Sequence, residues 1–352
     1  MSQKGTAMGY AEKLLVWFDE NKREMPWRKT NDPYAIWVSE IMLQQTQVDT
    51  VIPYYEKFIT RFPTVAALAA ATREEVYNYW QGLGYYRRAE NLHKGARMIE
   101  QEYDSVFPRE IEQVKKIPGI GPYTMGAVMS IAFHMPVPAV DGNVMRILSR
   151  YFLIDADISI AKNRKLFDEK VMELMPEDPN RFNQALMELG ALVCTPKNPK
   201  CNECPVQENC RAYQTQSVEK FPVKTPKTKV IPMDYKVLLI KKGEGYWMEK
   251  RPEEGLLANL WGFPMLEKSK SSVEIQGPEE IEGEKLGQVV HVFTHRKWVM
   301  EPVVVTNTEQ PPVKEMIAGS LQGKFMTLKE MKSYPIGTAF KRVIRELEKY
   351  EI

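Results

Sequence analysis

Four cysteines, Cys194, Cys201, Cys204 and Cys210, fall within 17 residues, and the rest of the 352-residue chain has none. Four thiolates this close can close a tetrahedral zinc site or hold an iron–sulfur cubane. In a cytosolic chain such a group points to metal rather than to disulfides, because reducing conditions disfavour structural disulfides. The C-x6-C-x2-C-x5-C spacing contains only one short knuckle, where structural zinc sites usually have two. The spacing leaves zinc and iron–sulfur equally open. Lys197, Lys200 and Arg211 lie on or beside this loop. They read as solvated surface charge, or as cations that a metal-fixed loop presents to phosphates.

Two carboxylates stand out next. Glu40 sits in Ile36-Trp37-Val38-Ser39-Glu40-Ile41-Met42-Leu43, apolar on both sides. Desolvation there would raise its pKa and make it a candidate general acid, while a glutamate on the polar edge of an amphipathic helix fits the same pattern equally well. Asp141 follows the proline-stiffened Val137-Pro138-Ala139-Val140 and opens a helix through about Phe152. Taken alone it is a good N-cap. Between them, Ile117-Pro118-Gly119-Ile120-Gly121-Pro122-Tyr123 places a two-glycine turn between helices. Positive φ at Gly119 and Gly121 would bring backbone amides near a ligand, and the following helix N-terminus would favour a phosphate. An ordinary helical hairpin fits a lone P-G-x-G pattern as well.

The elements that must position these residues are helical from residue 8 to about 212, with a T-x-x-E box at Thr72 and Glu75 and Pro108 at a first turn. Residues 213–230 are polar and basic, carry two prolines, lack a periodic apolar face, and read as an interdomain linker. Beyond them, Val237 to Ile240 and Tyr246 to Met248 read as a hairpin, Val289 to Val305 as further strands, and Ala339 to Tyr350 as an amphipathic helix. The expected fold is therefore a multidomain one: an all-α domain over 8–212 and an α+β domain over 231–352. At 43% hydrophobic and 27% charged, the chain can bury a core in each. A net charge of +2 decides nothing about nucleic acid. The longest apolar run, Val65 to Ala71, is too short to span a bilayer, and the N-terminus has no signal pattern, so a soluble cytoplasmic protein is expected.

In combination, VSEIMLQQTQV (38–48), GLGYYRRAENL (82–92), IPGIGPYTMGAV (117–128), AVDGNVMRI (139–147) and the cysteine loop resemble the helix-hairpin-helix glycosylases of the endonuclease III superfamily. Within it, the resemblance is to the adenine-specific branch of base-excision repair. It covers about Trp17 to Arg211. It implies that the loop holds a [4Fe–4S] cluster, that Asp141 is the catalytic aspartate stabilising an oxocarbenium-like sugar, and that Glu40 donates a proton to adenine. That is the two-carboxylate logic of glycoside hydrolysis applied to an N-glycosidic bond. Tyr123 and Asn143 match positions that arrange the sugar and the acids. Superfamily members that also cut the strand carry a lysine at the hairpin position of Tyr123. A tyrosine cannot form their imine, so a monofunctional glycosylase is implied. Gln45, Leu83 and Tyr85 match residues that wedge into the duplex beside the flipped base, although Leu83 and Tyr85 read on their own as core packing.

Leu257-Ala258-Asn259-Leu260-Trp261-Gly262-Phe263-Pro264 resembles the approach to a Nudix box, but the MLEKSKSSVEIQG that follows lacks the metal-binding glutamates. A Nudix-like fold without hydrolase activity is implied, one that recognises 8-oxoguanine. The branch's usual Phe-Ser-His loop is here Phe293-Thr294-His295. The partner implied is double-stranded DNA with adenine opposite 8-oxoguanine or guanine, bound by a monomer, with no membrane. The rival readings are a thymine-mismatch glycosylase and a non-catalytic, metal-stabilised DNA-binding protein. His93, on a helix face, and His134, at a helix end, read as structural.

Overall fold

The computed structural model describes residues 3–225, 230–268, 281–320 and 322–351. Its contacts divide the chain into two compact units, one of residues 1–71 and 87–226 and one of residues 72–86 and 227–352.

The first unit is helical. Its core gathers Tyr10, Leu14 and Phe18 of Gln3–Asn21, Val144, Ile147, Leu148 and Tyr151 of Gly142–Phe152, Phe167 of Arg164–Leu174, and Phe182, Leu186 and Leu189 of Pro179–Leu192. Two helices have no solvent face to speak of. Pro33–Leu43 is buried from Tyr34 to Met42, and Pro122–Phe133 from Thr124 to Ile131 apart from Met125. A helix that is apolar all round must be covered all round, and these two pack against each other. Polar residues on them are therefore carried into the interior, which is how Glu40 comes to be 5% exposed.

Local signals hold the ends. Asp32, Thr64 and Asp178 each cap a helix with the side chain, as does Thr72 in the second unit. Pro108 lies in the extended stretch before the short helix Ile111–Val114 and not in a first helical turn. His134 ends Pro122–Phe133 in the left-handed conformation, and His93 is buried with Nε2 3.0 Å from the Ala71 carbonyl.

The polar stretch read as a linker is in part tied down. Arg211–Gln214 is a helical turn, the Val223 carbonyl accepts from the Ile158 amide, and Asp157 accepts from the Thr225 amide. Side-chain and backbone hydrogen bonds, which need no apolar periodicity, keep residues 213–225 on the helical unit. Residues 226–229 lie outside the described residues.

The second unit is a mixed sheet between helices. Ile231–Lys242 pairs in parallel with Arg296–Val305 and antiparallel with Gly245–Lys250 and Met265–Glu267. Gly323–Met326 and Trp261–Gly262 extend one side, Val289–Val292 and Glu284–Lys285 the other. The hairpin turn is tighter than expected, because Lys242 already pairs with Gly245. Alternation along the central strand divides the core. Val237 and Leu239 face Phe340, Val343 and Leu347 of Thr338–Tyr350, while Leu238 and Ile240 face Val313 of Pro311–Gly319. Residues 72–86, expected in the helical domain, belong to this unit by contact: Arg73 donates to Asn259 Oδ1 at 3.1 Å and Gln81 to the Tyr334 carbonyl at 2.9 Å. Residues 269–277, within the stretch lacking Nudix glutamates, lie outside the described residues.

Candidate active site and cluster loop

A cavity of about 820 Å³, including its open mouth, is lined by Glu40, Tyr123, Asp141 and Asn143. Pro33–Leu43 supplies Glu40, and the start of Pro122–Phe133 supplies Tyr123, whose hydroxyl donates to Glu40 Oε2 at 2.7 Å. Burial pushes the Glu40 carboxyl up to about 7. The Tyr123 hydrogen bond works against this, and the facing Asp141 adds to it. Asp141 caps Gly142–Phe152: Oδ1 accepts from the amides of Asn143 and Val144, both at 2.8 Å, and Oδ2 from Asn143 Nδ2 at 2.8 Å. Burial raises its carboxyl as well, and these three donors oppose the rise. Two acids thus face one cavity and burial raises both, but three donors converge on Asp141 while a single hydroxyl, that of Tyr123, donates to Glu40.

Asn143 reaches Asp141 because it is held from behind. Its Oδ1 accepts from Arg146 Nη2 at 2.8 Å, and Arg146 also donates to the carbonyls of Gly190 and Cys194. A Cβ on Gly190 would lie 2.6 Å from the Asn143 Cβ. Only glycine lets the two helices approach this closely.

The far wall of the cavity was not foreseen from the sequence. Glu188, 2% exposed, accepts from Arg23 Nε at 2.9 Å and from Arg28 Nη2 at 3.0 Å. Burial opposes ionisation of Glu188, but the two guanidinium groups win and hold its carboxyl at about 2. Arg28 Nε donates to Gln184 Oε1 at 3.1 Å, and Gln184 Nε2 to Asn180 Oδ1 at 2.6 Å. The chain thus sets a fixed guanidinium and a fixed amide beside Trp27 and Met187. A planar heterocycle with donors and acceptors on its edge is the kind of ligand this wall would hold. The one available signal was an acid inside the apolar run Leu186-Met187-Glu188-Leu189.

Of the other expected residues, Gln45 is exposed with φ 58° just past Pro33–Leu43. Gly119 has φ 84°, and a Cβ there would meet Asn91 Cβ at 2.8 Å. Gly121 departs from the expectation: its φ is −89°, it caps Pro122–Phe133 from an extended conformation, and no atom would crowd a Cβ. One positive φ is enough to turn the chain. Lys197 and Lys200 are exposed, the latter 3.5 Å from Glu203. In the second unit Leu83 is 6% exposed, whereas Tyr85 is 51% exposed with φ 48° and its hydroxyl 3.4 Å from Thr294 Oγ1. Phe293 stacks edge-on against Trp298 at 4.8 Å, and its amide donates to the Arg296 carbonyl, so Thr294 and His295 form an exposed hairpin tip.

The four cysteines form no disulfide and line one cavity of about 430 Å³, open mouth included. Among the described residues no three His, Cys, Asp or Glu side chains converge as on a single ion. Four cysteine thiols round one cavity are a donor set that suits an iron–sulfur cluster. Tyr10, 1% exposed, has no hydrogen-bond partner for its hydroxyl among the described residues. Burial first, and then Cys204, push its pKa well up. Arg150 donates to Cys194 Sγ at 3.3 Å. A buried orphan donor and a cation beside the thiols fit an anionic thiolate cluster.

A family model for the HhH-GPD superfamily base excision DNA repair proteins matches residues 38–177, one for the iron-sulfur binding domain of endonuclease III matches 194–210, and a NUDIX domain model matches 236–346. The loop is thus an iron–sulfur site. The adenine DNA glycosylase of Rattus norvegicus is 36% identical over 97% of this chain and 78% of its own. That of Buchnera aphidicola subsp. Schizaphis graminum is 37% identical over 82% and 83%. A thermostable thymine-DNA glycosylase structure superposes with a TM-score of 0.56 at 30% identity, over 61% of this chain and 100% of that one. An endonuclease III–DNA complex, at 0.52 and 21% identity over 61% and 98%, shares the fold. No helix among the described residues is long and apolar enough to cross a membrane.

Proposed function

Since the chain belongs to the adenine DNA glycosylases of the helix-hairpin-helix superfamily, we propose that it hydrolyses the N-glycosidic bond of adenine mispaired with 8-oxoguanine, or with guanine, in duplex DNA. The observation that carries this reading is the pairing of Glu40 with Asp141 in one cavity, the first held at about 7 and the second surrounded by three donors. Adenine leaves poorly until a ring nitrogen is protonated. Glu40, raised far enough to keep a substantial protonated fraction near neutral pH, is the general acid, and Asp141 as the carboxylate stabilises the cationic sugar as the bond breaks. Tyr123 orients Glu40 and Asn143 orients Asp141. With a tyrosine at the hairpin position, water and not a lysine completes the reaction, so the strand stays intact.

Gln45, Leu83 and Tyr85 are assigned to filling the stack, Gly119, Gly121, Lys197 and Lys200 to the backbone phosphates, and Phe293, Thr294 and His295 to reading 8-oxoguanine. The cluster is assigned as [4Fe–4S], ligated by Cys194, Cys201, Cys204 and Cys210. When bound it supplies a rigid, charged core to the loop, and the chain acts as a cytoplasmic monomer.

Thymine-mismatch activity is the second reading, favoured by the likeness to the thymine-DNA glycosylase. That protein's fold accounts for 61% of this chain, whereas the Rattus norvegicus adenine enzyme accounts for 97%. Single-turnover assays on duplexes with A:8-oxoguanine, A:G and T:G separate the two. Adenine release from the first, without strand cleavage before alkali, is expected. Release of thymine alone would replace the proposal with its rival, and release of neither base would leave a binding protein.

A further inference from the structure

Helix Gly142–Phe152 carries two buried arginines one turn apart. Arg146 turns toward Asn143 and the active site. Arg150, 2% exposed, turns the other way, toward the cysteine loop. Its Nη1 lies 3.3 Å from Cys194 Sγ and 2.8 Å from the Thr195 carbonyl, and Nη2 lies 3.3 Å from that of Pro196. Nε donates to the carbonyls of Val218 and Phe221 at 3.1 and 3.0 Å. Among the described residues no carboxylate pairs with it.

A guanidinium taken out of water needs both hydrogen-bond acceptors and a counter-charge. The four carbonyls supply the first and carry no net charge. The one potential anion that the guanidinium touches among the described residues is the sulfur of Cys194. We propose that Arg150 is the counter-ion of the iron–sulfur cluster and that its charge, delivered through the N–H···S bond to Cys194, sets the midpoint potential of the cluster's one-electron couple. The proposal rests on reading residues 194–210 as cluster ligands.

In such a couple the reduced cluster holds one more electron, and so one more negative charge, than the oxidised one. A fixed cation one hydrogen bond from a ligand stabilises the reduced member more and raises the potential. Interior charges are weakly screened at this range. Removing the cation is therefore expected to shift the oxidation equilibrium at least tenfold toward the oxidised cluster, about 59 mV for one electron.

The test compares full-length wild type, Arg150→Gln and Arg150→Lys, each assayed for iron and acid-labile sulfide, with the electrode of a protein film as electron donor and acceptor. Arg150→Gln, fully loaded, should have a potential at least tenfold lower in equilibrium terms, and Arg150→Lys should stay near wild type. A loaded Arg150→Gln at the wild-type potential would reduce Arg150 to a loop brace and overturn the proposal. So would Arg150→Lys shifted as far as Arg150→Gln. If Arg150→Gln does not load even on anaerobic reconstitution, Arg150→Lys decides alone: loading at the wild-type potential supports the counter-ion, and failure to load or a tenfold shift overturns it. Wild type without iron and sulfide would instead reject the cluster reading itself.

Discussion

Replacing Glu40 by glutamine should stabilise the protein while it destroys activity. In the folded chain burial lifts the carboxyl from 4.5 to about 7, so the native state binds this proton more tightly than the unfolded chain does. The stabilisation this proton brings is therefore full below the unfolded value and is lost as pH rises through the folded one. Because each tenfold change in proton affinity is worth about 1.36 kcal/mol, ionised Glu40 costs the fold roughly 3 kcal/mol at pH 8. Glutamine has no charge to desolvate, and its Oε1 can still accept the Tyr123 hydroxyl. Glu40→Gln is therefore expected to be more stable than wild type by up to roughly 3 kcal/mol at pH 8, several degrees of melting temperature, with the gap narrowing to about 1 kcal/mol at pH 5. Adenine release should fall to near background at every pH. Denaturant titrations of cluster-loaded protein at pH 5, 6.5 and 8, beside single-turnover excision, read both quantities. A variant no more stable at pH 8, or a gap that does not narrow toward pH 5, would refute the desolvation argument. Retained excision would refute the general-acid role.

Asp141→Asn keeps the shape of the cap but not the charge, so excision should drop by about two to three orders of magnitude or more while gel-shift affinity for an A:8-oxoguanine duplex persists. Tyr123→Phe removes the hydrogen bond that holds the Glu40 pKa down. The alkaline limb of its pH–rate profile should move to higher pH, and a limb left in place would show that Tyr123 does not tune the acid. His295→Ala should narrow the preference for 8-oxoguanine over guanine opposite adenine by about fivefold, the equivalent of roughly 1 kcal/mol for one neutral hydrogen bond, with A:G rates unchanged. Thr294→Ser should leave the ratio of the two rates as it is. These tip variants are cleaner than truncation near residue 226, which would also remove the partners of Arg73 and Gln81.

What can be read from the sequence is what local physics encodes. Asp141 announces itself as an N-cap because its partners are two and three residues away. The cysteines declare a metal loop because ligand spacing is short by necessity, and Glu40 declares burial because most neighbours within a turn are apolar. The alternation of Val237 to Ile240 determines which strand residues face which helix. Where interactions are long-range, the sequence is silent. Arg28 and Glu188 meet across 160 residues, Arg23 and Glu188 across 165. No spacing rule joins them, so the far wall of the cavity emerges only once the turn Pro26–Lys29 and the residues before it lie against Pro179–Leu192.

The same distinction explains where expectation and structure part. Residues 213–225 lack apolar periodicity, the signal by which a sequence shows packing, and are held instead through Arg150, Asp157 and Ile158. Residues 72–86 look helical and so resemble the helical domain in type, although hydrogen bonds to residues 259 and 334 place them with the sheet. In both segments hydrophobic pattern decides which elements form, but polar groups decide where the connecting chain goes. An arginine or carboxylate inside the protein must find every partner it needs, and the backbone that supplies those partners is thereby fixed. Helix Gly142–Phe152 does this twice within one turn: Arg146 fixes the residue that orients Asp141, and Arg150 fixes the cysteine loop and the segment after it. Asp141 and the cysteine loop thus share one helix as their common support, and the polar residues of that helix, more than its apolar face, determine the geometry of both.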